Sequence, residues 1–200
     1  MNWLAHLLLS EPEAAFRIGN ILPDLLSRNE LQRLSPMFQA GAERHRLIDA
    51  FTDSHPVVRR SIGRFMPPYR RFGGILVDIF YDHFLAAGWI NFSEAPLERF
   101  TQDFYRSIDA HRKDLPPEVF SRLQQMRKDD WLCSYRELTN VRIALHRIGE
   151  RLRKPFPLSN AIDVLEEDYE TFRDDFTEFF PQLRGYVEST SKTAITPSSS

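Results

Sequence analysis

Four of the six histidines, His6, His45, His55 and His83, fall in the first 83 residues, together with Asp24, Asp49, Asp53, Asp78 and Asp82. Most of them interrupt apolar helical patterns, where a charged side chain needs a partner, a metal ion or water. In Glu43-Arg44-His45-Arg46-Leu47-Ile48-Asp49-Ala50-Phe51-Thr52-Asp53, the spacing of four puts His45 and Asp49 on one helix face, and Asp53 follows at the same step. An imidazole and a carboxylate so placed can share a metal ion. They can equally form a hydrogen bond that only orients the ring. Asp53 is balanced between N-capping the helix that starts at Pro56 and binding metal, whereas His55 reads as a helix-start residue.

A second group lies in Gly73-Gly74-Ile75-Leu76-Val77-Asp78-Ile79-Phe80-Tyr81-Asp82-His83-Phe84-Leu85. Asp78 and Asp82 share a face, with His83 roughly 100° further round. The bulky neighbours predict a buried helix, in which two unpaired carboxylates would each cost several kcal/mol. A divalent cation would remove that cost and is the preferred reading; arginines or tyrosine hydroxyls are the alternative. His6 sits in an apolar first helix, where a core role is commoner than ligation. Asp24 follows Pro23 at a helix start, where a carboxylate caps or serves the macrodipole. Together these residues make the neutral-imidazole and carboxylate mix of hydrolytic Mn, Fe or Zn sites. Between the two groups, Arg59, Arg60, Arg64, Arg70 and Arg71 occur with no acidic residue from Ser54 to Val77. That is an ordinary charged surface, or a basic patch for a phosphate or an acidic partner.

The elements that must position these groups read as helix after helix. Sixteen phenylalanines against eight glycines favour aromatic-packed helices over a turn-rich β fold, and prolines punctuate the connections. Leu97-Phe100-Phe104-Ile108, Val119-Leu123-Met126 and Leu138-Val141-Leu145-Ile148 mark three amphipathic helices. Leu158, Ile162, Leu165, Tyr169, Phe172, Phe176, Phe179, Leu183 and Tyr186 trace one long apolar stripe, opposite acidic residues read as a solvated face. The expectation is an all-α, single-domain helical bundle over residues 1–188, followed by a disordered Ser/Thr-rich tail, 189–200. A net charge of −2 gives no nucleic-acid signature, and the apolar N-terminus is too short to span a membrane and lacks a basic leader. The lone Cys133 excludes an internal disulfide and reads as a buried structural thiol, so the expected location is cytoplasmic. Neither a Gly-x-Ser-x-Gly elbow, a phosphate-cradling glycine loop nor a His-Glu-x-x-His motif is present.

Four segments in register from residue 1 to about Trp89 resemble the acyl carrier protein phosphodiesterase family. They are Met1-Asn2-Trp3-Leu4-Ala5-His6-Leu7, Gly19-Asn20-Ile21-Leu22-Pro23-Asp24, His45-Arg46-Leu47-Ile48-Asp49-Ala50-Phe51-Thr52-Asp53 and Asp78-Ile79-Phe80-Tyr81-Asp82-His83-Phe84-Leu85. The resemblance implies a fold related to HD phosphohydrolases, a divalent cation (manganese first, with iron, magnesium or zinc as alternatives) and acyl carrier protein as protein substrate. The implied reaction hydrolyses the phosphodiester between 4′-phosphopantetheine and a serine of that protein. On this reading His45, Asp49, Asp82 and His83, with Asp24 and His6, hold metal. Asp24 or Asp78 acts on the attacking water, and Arg59, Arg60 or Arg64 grips the phosphate or docks the carrier protein. The adjacent pair here is Asp82-His83 rather than the His-Asp order of HD enzymes, so ligands cannot be copied position by position. Two rivals stand beside it: a phosphohydrolase acting on a nucleotide or small phosphodiester, and a non-catalytic helical adaptor. The oligomeric state is left open.

Overall fold

A computed structural model describes residues 2–193, and among them there are helices and no strands. The α-helices are α1 (Trp3–Leu8), α2 (Ala14–Gly19), α3 (Arg28–Leu31), α4 (Pro36–Ser54), α5 (Pro56–Gly63) and α6 (Gly73–Ala87). The remainder are α7 (Leu97–Ala110), α8 (Pro117–Lys128), α9 (Trp131–Ser134), α10 (Leu138–Arg151), α11 (Ile162–Glu167) and α12 (Tyr169–Thr193). The three amphipathic patterns of the C-terminal half correspond to α7, α8 and α10. The long stripe is interrupted at Asp168, whose backbone (φ −111°, ψ 26°) separates α11 from α12. Most of its apolar positions are nonetheless buried on both sides of the break, from Leu158 and Ile162 to Phe179 and Leu183, with Tyr169 half-buried and Tyr186 exposed. Helix α12 continues to Thr193, so residues 189–193 of the expected tail are helical; residues 194–200 of it lie outside the described residues. No helix among the described residues is long and apolar enough to cross a membrane.

Helix α6 runs through the middle, with α1, α5, α10 and α12 packed on it. Its phenylalanines show what the composition serves: Phe80 meets Phe65 and Phe172, and Phe84 meets Phe176, at centroid separations of 5.6–6.0 Å. Each fully buried ring contributes about 1.5–3 kcal/mol through removal from water.

Two features of the N-terminal half position the chemistry. The first is a close crossing of α2 and α4. A Cβ on Gly41 would lie 2.1 Å from the Phe16 carbonyl oxygen, and one on Gly19 2.3 Å from that of Phe38, so only glycine permits the approach. The crossing sets Asn20, at the end of α2, against the middle of α4. The second is the anchoring of α1, too short at six residues to be stable alone. Asp82 on α6 accepts the backbone N–H groups of Leu4 (2.9 Å) and Ala5 (3.3 Å), a cap supplied from another helix. The Trp3 indole donates to Asp24 (2.7 Å), and the Asn2 amide donates to the Tyr135 hydroxyl (2.8 Å).

Candidate active site

Three side chains from two helices converge. His6 comes from α1, and His45 and Asp49 from α4, with one ligand-capable atom of each within 4.8 Å of the others. His45 Nε2 is 2.9 Å from Asp49 Oδ2, and His6 Nε2 is 3.3 Å from Asp49 Oδ1. The two imidazoles stack with centroids 4.2 Å apart. Asp24 presents Oδ1 to His45 Nε2 at 3.8 Å, while its Oδ2 is held by Trp3.

Asn20 decides what the rings can do. Its side-chain amide donates to the His6 carbonyl and to Ser10 Oγ, each at 2.8 Å, so its Oδ1 faces His6 Nδ1 as an acceptor at 3.1 Å. The Asn20 backbone carbonyl accepts from His45 Nδ1 at 2.8 Å. Both Nδ1 atoms are therefore the donors, and in the neutral rings both Nε2 lone pairs point at the Asp49 carboxylate. Lone pairs facing a carboxylate at these distances require a cation between them, either a proton or a metal ion. Burial depresses the His6 pKa. At His45, burial acts the same way, but Asp49 and Asp24 outweigh it and raise the value. Burial would raise Asp49, yet His45 and His6 hold its carboxyl far below the usual range. Two Nε2 lone pairs, aimed by the hydrogen bonds that Asn20 accepts from the Nδ1 atoms, together with a carboxylate, fit a divalent ion.

The other sequence candidates sit elsewhere. Asp82 is fully buried and uses both oxygens on the start of α1; burial pushes its pKa up to about 7, partly offset by those N–H groups. The desolvation cost expected on α6 is thus offset only in part at Asp82, by backbone N–H groups and not by a cation or an arginine. His83 is likewise engaged at both nitrogens, donating from Nδ1 to the Tyr135 carbonyl (2.8 Å) and pairing through Nε2 with the Tyr169 hydroxyl (2.9 Å). Asp78 is half-buried, within electrostatic reach of Asp53 and Asp82. Asp53 lies inside α4, and His55, not Asp53, caps α5, through Nδ1 and the Val57 N–H (3.3 Å). Arg59 is exposed.

Arg60 and Arg64 do not form an open patch. Their guanidinium groups bind Asp175 of α12 at 2.7–3.1 Å, and Arg60 also reaches Glu178. Asp175 is buried, so the acidic side of α12 is not uniformly solvated. Cys133, half-buried, lies 3.1 Å from the Thr101 hydroxyl, and burial raises its thiol pKa to about 11.

Sequence reasoning assigned Asn20 no role, although a polar residue between Gly19 and an apolar pair at a helix end was the available signal. It also passed over a cleft of about 320 Å³ that begins at Trp3 and Asp24 and continues between α8, α9 and α10. Arg122, Arg147 and Arg151 line it, on helices read as scaffold.

The model of one family, described as acyl carrier protein phosphodiesterase, matches residues 1–183. A protein of that name from Pectobacterium atrosepticum is 29% identical over 92% of this chain and 95% of its own length. One from Serratia proteamaculans is 30% identical over the same shares, and one from Escherichia coli is 29% identical over 98% of this chain and 100% of its own. No solved structure gives a significant match. With a family match running through α1, α4, α6 and most of α12, the chain belongs to the acyl carrier protein phosphodiesterase family.

Proposed function

We propose that the protein is a metal-dependent phosphodiester hydrolase that removes 4′-phosphopantetheine from the serine of holo-acyl carrier protein. The observation that carries this reading is the convergence of His6 Nε2 and His45 Nε2 on Asp49, with both Nδ1 protons fixed by Asn20. Family membership and the names of the relatives support the choice of substrate.

His6, His45 and Asp49 hold a divalent cation, manganese in the first instance. Bound there, such an ion supplies positive charge for the phosphoryl oxygens and makes water more acidic. Asn20 keeps the rings in the ligating tautomer. Asp24 is fixed through Oδ2 by the Trp3 indole, which leaves Oδ1 on the histidine side to accept a proton from the attacking water. The water oxygen bonds to phosphorus as the bond from phosphorus to the serine oxygen breaks, the serine oxygen takes the proton that Asp24 removed from the water, and the phosphate leaves on the prosthetic group. Asp82 and His83 support α1 and the helix junctions in this scheme and bind no metal. Asp24 is preferred to Asp78 as base because Asp24 is the carboxylate set against His45.

The test is the mass of holo-acyl carrier protein incubated with the protein and Mn²⁺. Loss of the prosthetic group with wild type, and its retention with Asp49→Asn, is expected. Cleavage of small aryl phosphodiesters without any change in the carrier protein would replace this reading by the small-substrate one. No cleavage of either, with no thermal stabilisation by Mn²⁺, would leave a helical adaptor.

A further inference from the structure

The cleft beside the histidines has its own chemistry. Its volume, about 320 Å³, lies in the range of small-molecule sites. Its inner end is continuous with the proposed centre, because Trp3 and Asp24 line it and the free face of Asp24 looks at His45 Nε2. One wall is apolar: Trp131, stacked on Trp3 at 6.1 Å, with Ile148 and with Ile143, which is 45% exposed. Asn140 and Ser134 add amide and hydroxyl groups.

Three arginines, Arg122, Arg147 and Arg151, line this space. Arg122 lies over the Trp131 ring, and its buried Nε has no hydrogen-bond partner among the described residues. Arg151 is close enough to repel it, and Asp24 is its nearby attractive charge. Arg147 is tied more loosely, 3.6 Å from Asp129. Three arginines against the two carboxylates of the lining, Asp24 and Asp129, leave it net positive, and with one buried guanidinium donor orphaned it is stabilised by an anion. An anion carrying an amide-rich, branched hydrocarbon chain matches both the charge and the walls.

Resting on the function proposed above, we infer that this cleft is the subsite for the prosthetic-group arm. Arg122 and Arg151 hold phosphoryl oxygens on the side away from the His6–His45–Asp49 group, and Trp131, Ile143 and Ile148 enclose the pantetheine chain. The phosphate would thus be gripped from α8 and α10, not from α5.

Calorimetric titration of free 4′-phosphopantetheine, pantetheine and inorganic phosphate into the full chain without added metal tests this, apart from turnover. Wild type is expected to bind 4′-phosphopantetheine at least tenfold more tightly than either fragment. Arg122→Gln should weaken 4′-phosphopantetheine at least tenfold and leave pantetheine unchanged, whereas Ala144→Trp, which fills the cleft, should weaken both. Ile143→Trp, at an exposed rim position, gives the same block if Ala144→Trp does not fold. Equal binding of 4′-phosphopantetheine to wild type, Arg122→Gln and a folded tryptophan variant overturns the subsite, as does no binding to wild type. The mass assay on holo-acyl carrier protein separates the two ideas. Release of the arm with no cleft dependence sinks the subsite alone; cleft-dependent binding without release sinks the proposed function alone.

Discussion

Asp49 and Asp175 are carboxylates of the same type, each held between two helices by nitrogen-bearing side chains, yet they face opposite chemistry. Around Asp175, every neighbour donates: Arg60 and Arg64 through guanidinium N–H groups, and Ser61 through its hydroxyl at 2.7 Å, backed by Tyr81. Burial raises the Asp175 pKa, and Arg64, Ser61 and Arg60 reverse this and hold it low. That assembly is complete, and it fastens α12 to α5. Around Asp49, the two imidazoles donate their Nδ1 protons in hydrogen bonds to Asn20, so that in the neutral rings it is the Nε2 lone pairs that meet the carboxylate. The contrast teaches that residue type and proximity do not separate a self-satisfied carboxylate cluster from one that could take a cation; the direction of the surrounding hydrogen bonds does.

Four changes would break or sharpen that contrast. The largest effect is expected at Asp49→Asn, which should lower turnover of holo-acyl carrier protein by about a thousandfold, the worth of several kcal/mol of lost charge stabilisation. Stopped mass-spectrometric assays at saturating Mn²⁺ check it, and activity within tenfold of wild type would remove Asp49 from the centre. Next, Asn20→Ala removes the side-chain acceptor of His6 Nδ1 but keeps the backbone carbonyl that accepts from His45, so it frees the His6 ring alone and should weaken Mn²⁺ binding by about 10-fold. A metal titration followed by protein melting reads this; an unchanged affinity would mean that the Asn20 side chain does not orient His6 as a ligand. Asp175→Asn should cost about 1–3 kcal/mol in denaturant unfolding while turnover per folded molecule stays within about threefold, the reverse of Asp49→Asn.

The smallest effect concerns pH. Asp82 in the folded protein has its pKa pushed up to about 7, above its unfolded value, so folding favours its protonated form. That contribution is present in full below about pH 4 and is lost as pH rises through about 7. The melting temperature of wild type minus that of Asp82→Asn should therefore shrink between pH 4 and pH 8. A constant or growing difference would show that the N–H groups of Leu4 and Ala5 outweigh burial.

Much of the architecture was legible because helical stripes are local: α7, α8 and α10 follow from apolar spacing over a few turns, as does the burial of α6. His45 and Asp49 were legible for the same reason, being one turn apart. The pairing of Arg60 and Arg64 with Asp175 was not, because more than a hundred residues separate them and neither segment alone shows that it faces the other. Asp82 was opaque in a different way. Its partners are backbone N–H groups, which every residue but proline possesses, so no side-chain pattern could reveal them. The break at Asp168 lies inside an unbroken apolar rhythm; periodicity registers which face is buried and is blind to a one-residue interruption.

The glycine crossing of α2 and α4 has a dynamic corollary. Asn20 reaches both imidazoles only while Gly19 and Gly41 keep the two backbones in contact, so any fluctuation that parts these helices also dismantles the ligand set. On the proposed function, metal binding and closure of the crossing would be one equilibrium seen through two observables. Amide exchange along α2 should slow as Mn²⁺ is added, in proportion to ligand saturation, while the far end of α7 remains indifferent. In that sense the two missing side chains act as a hinge stop: they set how long the centre stays assembled.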